Sequence, residues 1–96
     1  MNTKNSPEDY VAEIKAASDA EWKARGYTLA PPEFSIKRNK KYIKIIVTTF
    51  GSDSVHCFLD YDGNIYKSAS WNTPAKGIRG NINNEKKPLL GRDYYR

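Results

Sequence analysis

Ninety-six residues, 39% hydrophobic and 28% charged with a formal net charge of +5, make one small domain and exclude two. No apolar run reaches the roughly 18 residues of a membrane span, and the stretch from Met1 to Tyr10 lacks a signal peptide's hydrophobic segment, so a cytoplasmic protein with no membrane association is expected. One cysteine, Cys57, leaves no internal disulfide, and one histidine, His56, cannot complete four zinc ligands with it, so no metal and no cofactor are expected.

The chain opens with Ser6-Pro7-Glu8-Asp9, in which serine caps, proline takes the first helical position and Asp9 returns a hydrogen bond. Val11, Ile14, Ser18 and Trp22, joined by Tyr10 and Ala17, recur at spacings of three and four, while Glu13, Lys15, Asp19 and Lys23 face water. A helix over residues 7–25 follows, ended by Gly26 in the left-handed conformation. Pro31-Pro32 cannot extend it, and residues 27–32 read as a linker.

From Glu33 the period becomes two. Phe34 and Ile36 alternate with Ser35 and Lys37 up to a turn at Arg38-Asn39-Lys40. Tyr42 to Phe50 is the richest in β-branched residues, with Ile43, Ile45, Val47 and Thr49 on one face and Tyr42, Lys44, Ile46, Thr48 and Phe50 on the other; this strand is expected at the sheet's centre. Gly51-Ser52-Asp53 interrupts, and Ser54 to Asp60 sets Val55, Cys57 and Leu59 against His56 and Phe58. Asp62-Gly63 turns the chain into a fourth strand, Ile65 to Ser70. A three-residue turn with a glycine bulge is preferred to a two-residue turn, because it pairs Leu59 with Ile65 and buries both. The fold class is therefore α+β: an N-terminal helix packed on a four-stranded antiparallel β-meander over residues 33–70, then an irregular basic C-terminal segment. The sheet face away from the helix is expected to be open and to present Tyr42, Lys44, His56 and Phe58, a mixture suited to stacking bases or to a homodimer interface.

Charge is unevenly distributed. Residues 1–26 carry four basic and five acidic side chains, residues 27–70 six and four, and residues 71–96 six and two. A basic pole of this kind speeds encounters with nucleotides, nucleic acid or an acidic protein face. Within it, residues 71–82 are expected to form a loop or short helix. Thr73-Pro74 would cap the helix and leave amides free for an anion. Lys76 and Arg79, three apart on a helical turn, would share one side, with Arg79 suited to a bidentate phosphate contact. Gly77 and Gly80 would admit a ligand close to the backbone, and Trp71 would stack. Lys44, Lys67, Thr73 and Asn81 complete the candidate ligand-binding set. The competing reading makes Trp71 a plug at the end of the core and leaves the cations solvated.

Other chemistry fits less well. Gly77-Ile78-Arg79-Gly80 has the glycine spacing of a KH-domain loop, but it follows a strand and a proline rather than a helix. Asp60-Tyr61-Asp62-Gly63-Asn64 looks like a calcium loop, yet its glycine comes too early and no glutamate stands at the twelfth position. His56 and Asp60, four apart on a strand, stand about 13 Å apart, beyond a direct hydrogen bond. No catalytic residues are assigned, and the protein is expected not to be an enzyme.

The run from Gly63 to Asn81, with Ile65, Lys67, Ala69-Ser70-Trp71, Pro74-Ala75-Lys76 and Arg79-Gly80-Asn81 at its key positions, resembles a family of small tailed-bacteriophage proteins without an assigned function. The likeness extends to residues 41–60, through Ser54, Val55, Phe58 and Asp60. It implies a phage origin, action in the host cytoplasm, and Lys67, Trp71, Pro74, Lys76, Arg79 and Asn81 as the motif positions; it implies no activity. Two functions are expected to compete: binding of nucleic acid or a nucleotide through the segment from Trp71 to Asn81, and inhibition of a host or anti-phage defence enzyme by protein docking, with Tyr94 and Tyr95 of the tail contributing.

Overall fold

The Ser6 hydroxyl accepts from the Asp9 amide at 3.1 Å and the Asp9 carboxylate accepts from the Ser6 amide at 3.0 Å, the reciprocal pair that starts helix α1, Pro7–Ala24. Arg25 caps the other end and Gly26 turns at φ +73°, where an L side chain is strained. The computed structural model describes residues 6–26, 30–84 and 87–89, so part of the linker at 27–29 and most of the tail, including Tyr94 and Tyr95, lie outside the described residues.

Five strands follow: β1 Glu33–Arg38, β2 Ile43–Thr49, β3 Ser52–Leu59, β4 Asn64–Ser68 and β5 Pro74–Asn81. They form one antiparallel sheet in chain order, β1-β2-β3-β4-β5. The meander thus has a fifth strand where a loop or short helix was expected. With β5 in place, β3 rather than β2 is the middle strand. Leu59 pairs with Ile65 across the β3–β4 turn, as the bulged turn requires, and Gly63 there takes φ +88°.

Register sorts the side chains. Tyr10 and Ile14 of α1 pack on Ile43, Ile45, Cys57, Leu59, Ile65 and Ile82, all buried, with Val11, Phe34, Ile36 and Leu89 at the margin. Residues 87–89 lie across this side. The Tyr10 hydroxyl donates to the Pro88 carbonyl, Lys87 pairs with Glu13 at 3.0 Å, and a Cβ at Gly80 would stand 2.9 Å from Pro88 Cδ.

Two expectations about β3 change. Ile45 pairs with Cys57 but the next residue, Ile46, pairs with Val55, so His56 is the extra residue of a β-bulge. The bulge turns His56 toward the helix side, where its ring meets Phe34 edge-on at 5.2 Å and its Nε2–H donates to the Leu89 carbonyl at 3.0 Å. Val55 passes to the opposite face. Burial lowers the His56 pKa, the Leu89 hydrogen bond opposing, so the ring is neutral at pH 7. The β2–β3 turn also comes earlier than expected, at Phe50-Gly51, both at positive φ as a type I′ turn requires.

Candidate functional site

The face away from α1 is defined by one cross-strand row: Lys37 on β1, Lys44 on β2, Phe58 on β3, Tyr66 on β4 and Ile78 on β5. It is not open. Lys44 and Phe58 are each only 2% exposed, and Tyr42 packs edge-on against Phe58 at 6.2 Å and Tyr66 at 5.8 Å. The cover over Lys44 comes from the β4–β5 hairpin loop, whose Trp71 ring centroid lies 4.3 Å from Lys44 Nζ and whose Asn72 Oδ1 accepts from Nζ at 3.1 Å. The Thr73 carbonyl accepts from the Ala69 and Ser70 amides at 2.9 and 3.0 Å, tightening that loop. A buried ammonium is therefore held by an indole face and an amide oxygen, with no carboxylate within salt-bridge distance among the described residues. Burial, and after it the nearby Lys37 charge, lowers the Lys44 pKa. Trp71 keeps 45% of its surface in solvent and Ile78 58%.

The structure separates the remaining candidates. Lys76 and Arg79 are exposed on β5, a strand, so the helical turn that would put them on one side is absent. β5 begins at Pro74, so Thr73 caps no helix and no helix amides are free there. Gly77, at φ +97°, has open space where a Cβ would point, but the space beside Gly80 is filled by Pro88. Close approach of a ligand is thus available at one glycine and closed at the other. Lys67 is half-buried on β4.

Asn81 is spent inside the fold. Its Nδ2 donates to Asn64 Oδ1 at 3.0 Å and its Oδ1 accepts from the Asn83 amide at 2.9 Å, tying β5 to the β3–β4 turn. That turn is organised by Asp60, which accepts from the Asp62 and Asn64 amides, the Asn64 side chain and the Tyr66 hydroxyl, all at 2.9–3.0 Å. Burial alone would raise the Asp60 carboxyl; these hydrogen bonds outweigh it and hold the pKa below the ordinary value. The same bond, with burial, raises Tyr66.

A cavity of 220 Å³ opens between the start of α1 and the β3–β4 turn, lined by Arg38, Ile43, Tyr61, Gly63 and Ile82 among others. Arg38 is already paired with Glu8 at 2.6 Å, and neither Lys44 nor Trp71 lines it. Among the described residues no cluster of His, Cys, Asp and Glu could hold a metal ion, and no helix is long and apolar enough to cross a membrane.

Residues 5–92 match the model of a family of unknown function, DUF7717. The chain belongs to that family. No curated protein and no solved structure matches it. The DUF7717 match takes in the capping box of α1, all five strands and residues 87–89, so it covers the whole described domain and not the β4–β5 segment alone.

The sequence offers Lys44 as a ligand-binding cation on an open face, whereas the structure buries it beneath Trp71 and Asn72. Its burial had no sequence signal, because alternate lysines on a strand ordinarily face water. Nothing in the sequence singles out Asn72, whose role as an acceptor for Lys44 depends on the hairpin loop folding back over β2.

Proposed function

We propose that this DUF7717 protein is a small non-enzymatic accessory protein of phage origin that acts in the host cytoplasm and binds a phosphate-bearing ligand, nucleic acid or a nucleotide, through residues 71–81. The observation that carries the reading is the Lys44–Trp71 stack: an indole braced from beneath and nearly half exposed, on a sheet whose outer strands bear Lys37, Lys76 and Arg79. Aromatic platforms among cations bind bases by stacking and backbones by charge. Lys76 and Arg79 contact phosphate in this reading, with Lys37 extending the positive surface, while Lys67, next to Tyr66 on β4, falls on the helix side. Asn81 and Thr73 act by holding the hairpin.

The competing reading, docking on a host or defence enzyme, draws on the exposed apolar side chains Ile78 and Phe50. Fluorescence polarisation with labelled oligonucleotides and a labelled nucleotide, repeated as salt rises, tests the first. Binding that weakens with salt and falls on Arg79→Ala is expected. A folded protein that binds none of these probes at low salt, while retaining one host polypeptide in a pull-down, would overturn it.

A further inference from the structure

We infer that the ligand is single-stranded nucleic acid with an unpaired base stacked on Trp71, and that Lys44 serves as the positioning residue that fixes the indole rather than as a phosphate contact. This rests on the binding reading above. Lys44 is 2% exposed beneath the loop, and its ammonium already engages the Trp71 ring at 4.3 Å and Asn72 at 3.1 Å. A phosphate oxygen could reach Nζ only by lifting both residues away. The ammonium instead anchors two consecutive loop residues to β2, and the Thr73 carbonyl closes the loop behind them. Trp71 is thereby held before any ligand arrives, which lowers the ordering cost that stacking would otherwise carry.

The ligand class follows from what the platform offers. An exposed indole accepts the flat face of any base, but in a duplex those faces are occupied by neighbouring bases, so an unpaired base is the fitting partner. The cations are also spread out. Lys37 lies on β1 and Lys76 and Arg79 on β5, the two edges of the sheet. Four inter-strand spacings put those edges about 19 Å apart. A backbone several nucleotides long meets both edges; a mononucleotide over Trp71 is left with one.

The test compares a labelled ten-nucleotide oligothymidine, the corresponding duplex and labelled ATP, each titrated at several salt concentrations in a Trp22→Phe background, so that emission reports Trp71 alone. The single strand is expected to bind at least tenfold more tightly than the other two and to quench Trp71. Trp71→Ala should weaken it by roughly tenfold or more. Lys76→Ala should lower the slope of log affinity against log salt by about 0.7, as loss of one phosphate contact to a single strand does. Lys44→Met should weaken binding several-fold with the slope unchanged and with Trp71 emission shifted to the red. Asn72→Ala, which removes the other anchor and leaves the charge in place, should do the same more mildly.

A slope reduced by Lys44→Met as by Lys76→Ala would make Lys44 a phosphate contact and overturn the positioning role, as would unchanged affinity in both Lys44→Met and Asn72→Ala. Equal affinity for duplex or ATP would overturn the ligand class while leaving the binding function standing. Absence of binding to all three probes would remove the function itself.

Discussion

On the helix side of the sheet, Ile43, Ile45, Cys57, Leu59 and Ile65 meet Tyr10 and Ile14 with no charge among them. On the far side the same strands bury Lys44 and Phe58 beneath Tyr42 and one hairpin loop, so a cation stands where the near side has a methyl group. The first arrangement draws on apolar area, worth about 25 cal/mol for each Å² removed from water. The second buries one large apolar side chain, Phe58, and otherwise draws on a ring face, an amide oxygen and a few aromatic edges, contacts individually worth about 0.5–2 kcal/mol. The helix side therefore carries most of the molecule's apolar burial. The far side is a surface held in shape by a few specific contacts, which leaves the outer face of Trp71 free to meet a ligand.

Emptying the helix side tests how much of the stability that face carries. Ile45→Ala removes a fully buried side chain packed among Cys57, Ile36 and the helix, and should cost about 2–5 kcal/mol, read as a fall in the urea midpoint without change in slope. An Ile45→Ala loss below 1 kcal/mol would mean that the core lies elsewhere. Asp60→Ala should come next, at about 2–3 kcal/mol, because two amides, the Asn64 side chain and the Tyr66 hydroxyl all lose their acceptor. Asp60 also supplies a pH signature. Its folded pKa is depressed below 3.8, so its contribution is full above that value and is lost as pH falls through the folded pKa. The gap between wild type and Asp60→Ala should therefore narrow on acidification below about pH 4. A gap that stays constant to pH 2 would show that the carboxylate's charge is not what the turn uses.

Much of the helix side was legible in the sequence, because its signals are local and repetitive. Ser6 and Asp9 start the helix wherever tertiary structure later sends it, and Asp62-Gly63 between two apolar residues selects the Leu59–Ile65 pairing. The far side was not legible, and for identifiable reasons. β5 carries Pro74, Gly77 and Gly80 and no apolar alternation; it becomes a strand only because β4 offers it an edge, and it pairs with irregularities at both Tyr66 and Ser68. The β3 bulge exchanges the faces of His56 and Val55 without changing a residue type. Asn81 and Gly80 look like ligand residues in a linear motif, yet Asn81 binds the β3–β4 turn and Gly80 makes room for Pro88. A motif read along the chain cannot distinguish residues kept for a ligand from residues kept for the fold.

Lys44→Met, in stability rather than binding, gives the smallest expected effect and the finest distinction between the two faces. Replacing a buried cation by an apolar side chain of similar length removes the cation–π contact and the Asn72 hydrogen bond, but also removes the desolvation penalty of the charge, so the net change at pH 7 should fall within about 1 kcal/mol of zero. The sign of its pH dependence is fixed by the depressed pKa. Between the folded value and the ordinary 10.5 the unfolded chain holds a proton that the folded chain has released, so wild-type stability should rise with pH over that window relative to Lys44→Met. Urea midpoints of the two proteins measured from pH 7 to pH 10.5 would show this as a wild-type midpoint that rises relative to that of Lys44→Met. If Lys44→Met instead loses as much as Ile45→Ala, the far side is a second core, and the loop over it is there to seal it rather than to display Trp71.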